Sequence, residues 1–149
     1  MGRRFTIALA MALCGCGEKA STIEDLRSTD VTLPNGDKIR ADAMRTQSDL
    51  YRGMMFRDSL PRDRGMLFFL KHEGPTPYYL FQVKIPLDII WMDRDHRIVE
   101  MVRNAPPCPS AKAQECPIYG GKFPSLFVLE ANAGFAANHG LREGEKLEF

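Results

Sequence analysis

The sequence predicts a single α+β domain, mainly β, of the small barrel or sandwich type with two short helices. Three observations support this prediction: short apolar runs separated by turn residues, a densely apolar stretch at residues 78–92 that alternates like a strand, and only two stretches with helical character. Short strands with turn signals between them are typical of such β folds. At 149 residues, with 44% hydrophobic and 26% charged residues, the chain suffices for one domain with a sizeable core.

The globular part begins with a predicted β-hairpin. Residues 31–33 and 38–43 are its strands. Asn35-Gly36 between them is a dipeptide that adopts the positive φ angles of a tight turn at low cost.

A predicted helix follows at residues 46–56. Its apolar side chains recur at helical spacing: Leu50, Met54 and Met55. Thr46 or Ser48 is the expected N-cap. Gly53 weakens the helix by about 1 kcal/mol relative to Ala, so we expect another backbone to approach closely there.

The middle of the chain is predicted to supply the centre of the sheet. Residues 65–70 are an apolar run typical of a buried strand, and the Gly- and Pro-containing residues 71–77 predict a connection. Residues 78–85 alternate with a period of two, which predicts a half-buried strand. Pro86 interrupts its ladder because proline has no N–H to donate.

Residues 87–92 (LDIIWM) are apolar on both faces, which predicts a central strand. Asp88 breaks this pattern. Burying even a neutral polar group without a hydrogen bond costs about 2–7 kcal/mol. Asp88 is therefore expected to be paired or to lie at a strand end facing solvent.

The remaining elements follow from turn signals and apolar runs. They are a turn at 93–96, a strand at 97–103, a long loop at 104–121, a strand at 125–130, a short helix at 132–139 before Gly140, a turn at 143–144 and a final strand at 146–149.

Two cysteines, Cys108 and Cys116, lie in the long loop. An exported protein folds in an oxidising compartment, so we predict that they form a disulfide. Closing this loop stabilises the fold by about 2–3 kcal/mol in the chain-entropy model. Neither a Cys-x-x-Cys pair nor a nearby His completes a ligand set, so no metal and no cofactor is predicted.

The N-terminus has the pattern of a targeting segment. Arg3 and Arg4 precede a short apolar run, residues 5–13, which is shorter than the about 20 residues of a membrane-spanning helix. Residues 13–16 (LCGC) resemble a bacterial lipobox. We therefore predict a lipoprotein signal peptide at 1–15, a lipidated tether at 16–30 that begins at the acylated Cys16, and a globular domain at 31–149. The alternative is an ordinary secretory signal cleaved near Ala20.

This organisation predicts an exported protein that a lipid anchors to the membrane, facing the periplasm or the cell exterior. Gly17 after the lipidated cysteine, where Asp is absent, favours the outer membrane. The formal net charge is only +1, and a nearly balanced charge argues against nucleic acid as a partner.

Five motifs, taken in order, resemble the bacterial and archaeal family known as domain of unknown function 192. They are residues 52–57 (RGMMFR), 65–69 (GMLFF), 85–90 (IPLDII), 116–119 (CPIY) and 128–134 (VLEANAG). The resemblance spans about residues 33–149 and implies a mainly β domain, often exported, without an established activity. Residues 79–83 (YLFQV) depart from the family pattern, which tends to read Trp-Met-Lys-Asn-Thr.

The candidate site residues are the polar side chains in or near these motifs: Arg57, Gln82, Asp88, Tyr119 and Glu130. A functional interpretation places them around one pocket, where the Arg binds an anion and the carboxylates act as acid and base. The alternative is an internal ion-pair network, for example Asp88 with an Arg, and a Tyr119 that caps the core.

The sequence contains neither a Gly-x-Ser-x-Gly elbow nor a phosphate-binding glycine loop. We therefore expect a binding module, with an envelope glycan or a partner protein as ligand. The alternative is an envelope enzyme that uses Asp88 and Glu130 as paired carboxylates, with glycans as its substrate class.

Overall fold

The computed structural model describes residues 27–149. The six strands are β1 (Ser28–Thr32), β2 (Lys38–Met44), β3 (Arg64–Pro75), β4 (Leu87–Met92), β5 (Ile98–Ala105) and β6 (Pro124–Asn132). The helices are α1 (Gln47–Arg52), α2 (Phe135–Asn138) and one 3-10 turn at Ala113–Glu115. The strands form one mixed sheet in the order β1-β2-β3-β6-β4-β5. The predicted signal peptide, Cys16 and the first part of the tether lie outside the described residues.

The predicted hairpin is confirmed. β1 and β2 are antiparallel, Gly36 in the turn has a φ of 88°, and Asn35 Oδ1 accepts the Asp37 N–H at 3.0 Å. The strand begins at Ser28, so residues 28–30 belong to the sheet and not to the tether predicted at 16–30. They pair with β2, whose backbone groups take the place of water as their hydrogen-bond partners.

Helix α1 begins as predicted and ends earlier. Thr46 is the N-cap, and its side chain and that of Asp49 form a reciprocal capping box. The helix ends at Gly53, which has a φ of 42°. A Cβ atom there would lie 3.2 Å from the Phe68 ring, so the close neighbour is a side chain and the predicted backbone contact is wrong.

Strand β3 is longer than predicted. It runs through Pro75, and the expected connection at residues 71–77 is mostly strand. Its pairing with β6 is irregular between Phe69 and Gly74 and resumes at Gly74 and Pro75, which pair with Ser125 and Pro124.

The strand predicted at residues 78–85 is absent. Tyr78 forms a single bridge with Tyr119, and the chain then turns at Phe81 and Gln82, where Gln82 has a φ of 56°. The Val83 N–H donates to the Leu80 carbonyl, and both of these side chains are buried. A turn therefore buries side chains three positions apart, whereas a strand would have buried alternate ones.

Strand β4 is central, as predicted. It lies between β6 and β5, and all six of its residues are buried. Each face of the sheet carries a hydrophobic core. Ile90 and Met92 pack with α2 on one face, here called the α2 face, and Ile89 and Trp91 pack with Phe68 on the other, here called the Trp91 face.

The C-terminal segment joins the two edges of the sheet. Glu148 exchanges two backbone hydrogen bonds with Thr32 of β1, and Lys146 forms a bridge with Arg97 just before β5. The predicted final strand consists of these isolated bridges. By linking β1 to the residue before β5 they connect the two edges of the sheet, in agreement with the barrel-like arrangement expected from the sequence.

Candidate functional site: an apolar pocket over a buried glutamate

A pocket of about 300 Å³ opens on the Trp91 face, between α1 and residues 76–83. Apolar and aromatic side chains dominate its lining, among them Leu50, Tyr51, Phe68, Tyr78, Leu80 and Phe81. The volume is at the lower end of the range for small-molecule sites. It matches a ligand with one ring or a short chain.

The wall at residues 76–83 is held against the sheet by Trp91. The buried indole donates its N–H to the Thr76 carbonyl at 2.8 Å. Tyr78 packs edge-on against both Trp91 and Phe68, with ring centroids 5.8 and 5.6 Å apart. This irregular segment therefore has a defined position without belonging to the sheet.

The disulfide loop supports the same wall, and the predicted Cys108–Cys116 bond is present. The Cys108 N–H donates to the Leu80 carbonyl at 3.1 Å. Gly120, with a φ of 64°, lies so close to Trp91 that a Cβ would be 2.4 Å from the indole ring. Any side chain at this position would displace the loop.

Glu130 is the only carboxyl group in the described lining of the pocket. It is only 4% exposed, and its Oε2 atom has no hydrogen-bond partner among residues 27–149. Burial raises the pKa of Glu130 to about 8. Burial also raises the pKa of the Tyr78 hydroxyl, and the negative charge of Glu130 adds to this effect.

Sheet register directs Glu130 into the pocket. The residue pairs with Met66 of β3 and Ile89 of β4, whose side chains share the Trp91 face. A Cβ at Gly53 would lie 3.9 Å from Glu130 Oε2, so the end of α1 passes close to the carboxyl group.

Asp88 lies on the opposite face. It pairs in register with Ala131, whereas Glu130 pairs with the next residue, Ile89. Because successive side chains in a strand point to opposite faces, the two carboxylates are separated by the sheet. The paired-carboxylate site predicted as the alternative is therefore not formed.

Asp88 is paired, as one branch of the prediction required, but its partners are backbone groups. Oδ1 accepts the N–H groups of Asn104 at 2.8 Å and Gly134 at 3.2 Å, and Oδ2 accepts that of Ala136 at 2.8 Å. The suggested Arg partner is wrong. Asp88 connects β4, the end of β5 and the first turn of α2.

The other three predicted site residues lie elsewhere. Arg57 Nη1 is 3.1 Å from Asp42 Oδ2 on the surface. The side chain of Gln82 is exposed, and its backbone carbonyl accepts the Phe56 N–H. Tyr119 packs against the core of the Trp91 face, which agrees with its capping interpretation. The structure thus brings only Glu130 of the five candidates to the pocket.

Sequence reasoning missed the aromatic walls, although one signal pointed to them. Residues 79–83 depart from the family pattern, and Tyr79, Leu80, Phe81 and Val83 all line the pocket. Among residues 27–149, no group of three or more His, Cys, Asp or Glu side chains is arranged to hold a metal ion. None of the helices in this range combines the length and the hydrophobicity of a membrane span.

The fold and the pocket define a small, mainly β domain with a buried acid beneath an aromatic-lined cavity. The chain belongs to the DUF192 family, described as "Uncharacterized ACR", whose model matches residues 31–149. No curated protein matches the sequence.

Solved structures that are similar to this chain include the following two. One is a protein of unknown function from Novosphingobium aromaticivorans DSM 12444, with a TM-score of 0.70 and 29% identity, covering 82% of this chain and 85% of that one. The other is a proposed transcription regulator from Sinorhizobium meliloti 1021, with a TM-score of 0.70 and 26% identity, covering 80% of this chain and 89% of that one. These likenesses agree with the mixed, mainly β fold.

Proposed function

We propose that this protein is an exported, lipid-anchored cell-envelope protein whose pocket binds a small, largely apolar ligand. Glu130 is the observation that carries the proposal. More than about 90% of buried polar groups in proteins are hydrogen-bonded, yet Glu130 Oε2 has no partner among the described residues. A buried carboxyl group kept in this state is expected where an external molecule supplies the partner.

The lining favours a small organic molecule over the glycan expected from the sequence. Sugars present many hydroxyl groups, each of which needs a hydrogen-bond partner when buried. Most of the lining side chains here are apolar or aromatic, including Leu50, Phe68, Leu80 and Phe81. One polar group at the floor can orient such a ligand while the apolar walls supply the affinity.

The N-terminal sequence supports the proposed location. A basic start, a short apolar run and the LCGC motif at residues 13–16 together match a lipoprotein signal. The disulfide at Cys108–Cys116 fits an oxidising compartment. The lipid on Cys16 would then anchor the domain at the membrane surface, where small apolar molecules accumulate.

The binding claim is tested with 2-phenylethanol, a neutral probe of suitable size, added to mature Cys16→Ser protein. Two-dimensional NMR should show saturating shifts at Leu50, Phe68 and Leu80. Leu50→Trp should abolish them by filling the pocket, and Arg57→Ala, altered outside the pocket, should leave them unchanged. Shifts scattered over the surface, or none at millimolar probe, would refute the pocket.

The location is tested separately by labelling growing cells with radioactive palmitate. Wild-type protein should carry the label and sediment with membranes, and Cys16→Ser should lose both properties. Label that persists in Cys16→Ser would refute the anchor without affecting the binding claim.

A further inference from the structure

We infer that the ligand is a small organic amine, bound as its ammonium ion against Glu130 with its apolar body among the aromatic side chains. This inference rests on the proposed function, because it assumes that the pocket binds a small molecule. It adds the charge and chemical class of that molecule.

The first argument is charge. The pocket lining includes one basic side chain, Arg52, and one acidic side chain, Glu130. Arg52 is exposed and also lines a neighbouring cleft, whereas Glu130 is buried. Arg57, the cation expected from the sequence, is engaged by Asp42. The structure therefore leaves the counter-charge of the ionised Glu130 carboxylate to an incoming molecule, and a bound anion would disfavour that ionisation.

The second argument is the composition of the walls. Five aromatic residues line the pocket: Tyr51, Phe68, Tyr78, Tyr79 and Phe81. The face of an aromatic ring is negative and attracts a cation, and the attraction strengthens when water is excluded. A neutral donor would also satisfy Glu130 Oε2, but it would not gain this attraction. A buried carboxyl group beside aromatic rings therefore discriminates in favour of ammonium.

The protonation state of Glu130 gives the inference a second signature. Because burial raises the pKa of this residue to about 8, the free protein holds the proton at neutral pH. Forming an ammonium–carboxylate pair releases that proton. Affinity for an amine should therefore rise about tenfold per pH unit between pH 6 and 7.5 and level off above pH 8.

The groups that face Glu130 do not obscure this dependence. β3 and β4 present Met66, Phe68 and Ile89, which do not titrate. Residues 76–83 present Tyr78, whose pKa is raised by burial, so its hydroxyl stays neutral. The end of α1 presents Arg52, whose side chain is exposed to solvent.

The test compares 2-phenylethylamine with 2-phenylethanol, which differ in the group that reaches Glu130. Calorimetry on mature Cys16→Ser protein at pH 8 should show the amine binding at least tenfold more tightly. Glu130→Gln should remove this difference and leave the alcohol affinity within about twofold. Glu100→Gln is the matched control: Glu100 is also buried but accepts the Lys122 N–H and lies outside the pocket lining, so the amine preference should persist.

Each result has one meaning. Equal binding of both probes overturns the amine inference and leaves the pocket proposal standing, whereas binding of neither overturns both. An amine preference that survives in Glu130→Gln places the amine elsewhere and also overturns the inference.

If the Glu130→Gln variant fails to fold, the wild-type protein decides. Calorimetry at pH 7 in buffers of different ionisation enthalpy should show release of about 0.9 proton per bound amine. Release near zero refutes the inference.

Discussion

Asp88 and Glu130 are two buried carboxyl groups on neighbouring strands, separated by one register position, and their surroundings are opposite. On the α2 face, Asp88 accepts three backbone N–H groups. On the Trp91 face, Glu130 Oε2 has no partner in the described part of the chain. Burial alone therefore does not distinguish a carboxyl group whose oxygens are paired from one that keeps an unpaired oxygen. The partners of each oxygen do.

The contrast follows from what each face packs against. The α2 face brings the end of a strand and the start of a helix to Asp88. The ends of such elements carry backbone N–H groups without a partner inside the element, and these need an acceptor. The Trp91 face brings side chains to Glu130, chiefly aromatic and aliphatic ones that offer no hydrogen bond. Asp88 thus stabilises the fold, and Glu130 is retained at a cost to it.

The largest expected effect is on the α2 face. Asp88→Ala leaves three backbone donors without their acceptor, and each unsatisfied donor costs about 1–3 kcal/mol. We expect the free energy of unfolding to fall by about 4 kcal/mol, measured by urea denaturation. Asp30→Ala, on the exposed edge strand β1, should change it by less than about 0.5 kcal/mol. A loss below about 1 kcal/mol for Asp88→Ala would erase the contrast between the two acids.

The next effect is the pH dependence caused by Glu130. The pKa of Glu130 is about 8 in the folded state, against 4.5 for the solvent-exposed side chain of the unfolded chain. The folded protein therefore keeps a proton that the unfolded chain releases. Its contribution to stability is complete below about pH 4.5 and is lost as pH rises through 8. Between pH 5 and 7 the wild type should lose about 2.5 kcal/mol relative to Glu130→Gln.

This difference is measured by urea denaturation of both proteins at pH 5, 6 and 7, with Glu100→Gln as a second buried-glutamate control. A gap between wild type and Glu130→Gln that stays constant or widens in favour of the wild type would contradict the assignment.

The disulfide should affect the two faces unequally. Replacing Cys108 and Cys116 by Ser removes a short loop closure and should lower the free energy of unfolding by about 2.5 kcal/mol. Because the loop holds the pocket wall, amide hydrogen exchange should accelerate more at Tyr78 and Tyr119 than at Ala136 on the α2 face. Wild-type protein treated with a reductant should behave in the same way. Equal acceleration on both faces would show that the loop does not support the pocket specifically.

The smallest expected effect is at Arg57. Its ion pair with Asp42 is on the surface, and Asp42 also binds Arg64 at 2.8 Å. Exposed pairs contribute about 0–1 kcal/mol, so Arg57→Ala should lower the free energy of unfolding by at most about 0.5 kcal/mol. Probe binding should be unaffected. A large loss of binding would restore Arg57 to the site from which the structure removes it.

Much of the fold was predictable because its signals are local. Asn35-Gly36 specifies the hairpin turn, Thr46 caps α1, and the run at residues 87–92 forms the central strand. The Cys108–Cys116 bond followed from the predicted oxidising compartment and from the presence of two cysteines in one loop. The DUF192 motifs identified the family but carried no chemistry.

The errors share a physical cause. Alternation at residues 78–85 has the period of a strand, but tertiary contacts bury Leu80 and Val83 from a turn with Gln82 at positive φ. The predicted site, which placed Asp88 and Glu130 in one pocket, was wrong for the same reason. Both are acidic residues in apolar strands, so the sequence pattern does not distinguish them. A shift of one residue in register exchanges the two faces of a strand.

The sequence alone determined that this chain forms a mainly β domain, because turn chemistry, helix capping and hydrophobic period act over a few residues. It also predicted the disulfide between Cys108 and Cys116. Only the tertiary structure decided which buried acid is satisfied and which faces a pocket. That outcome depends on strand register, on backbone N–H groups at the ends of β5 and α2, and on the aromatic residues that lie over Glu130. These residues are far from Asp88 and Glu130 in sequence, so local patterns do not reveal the contacts.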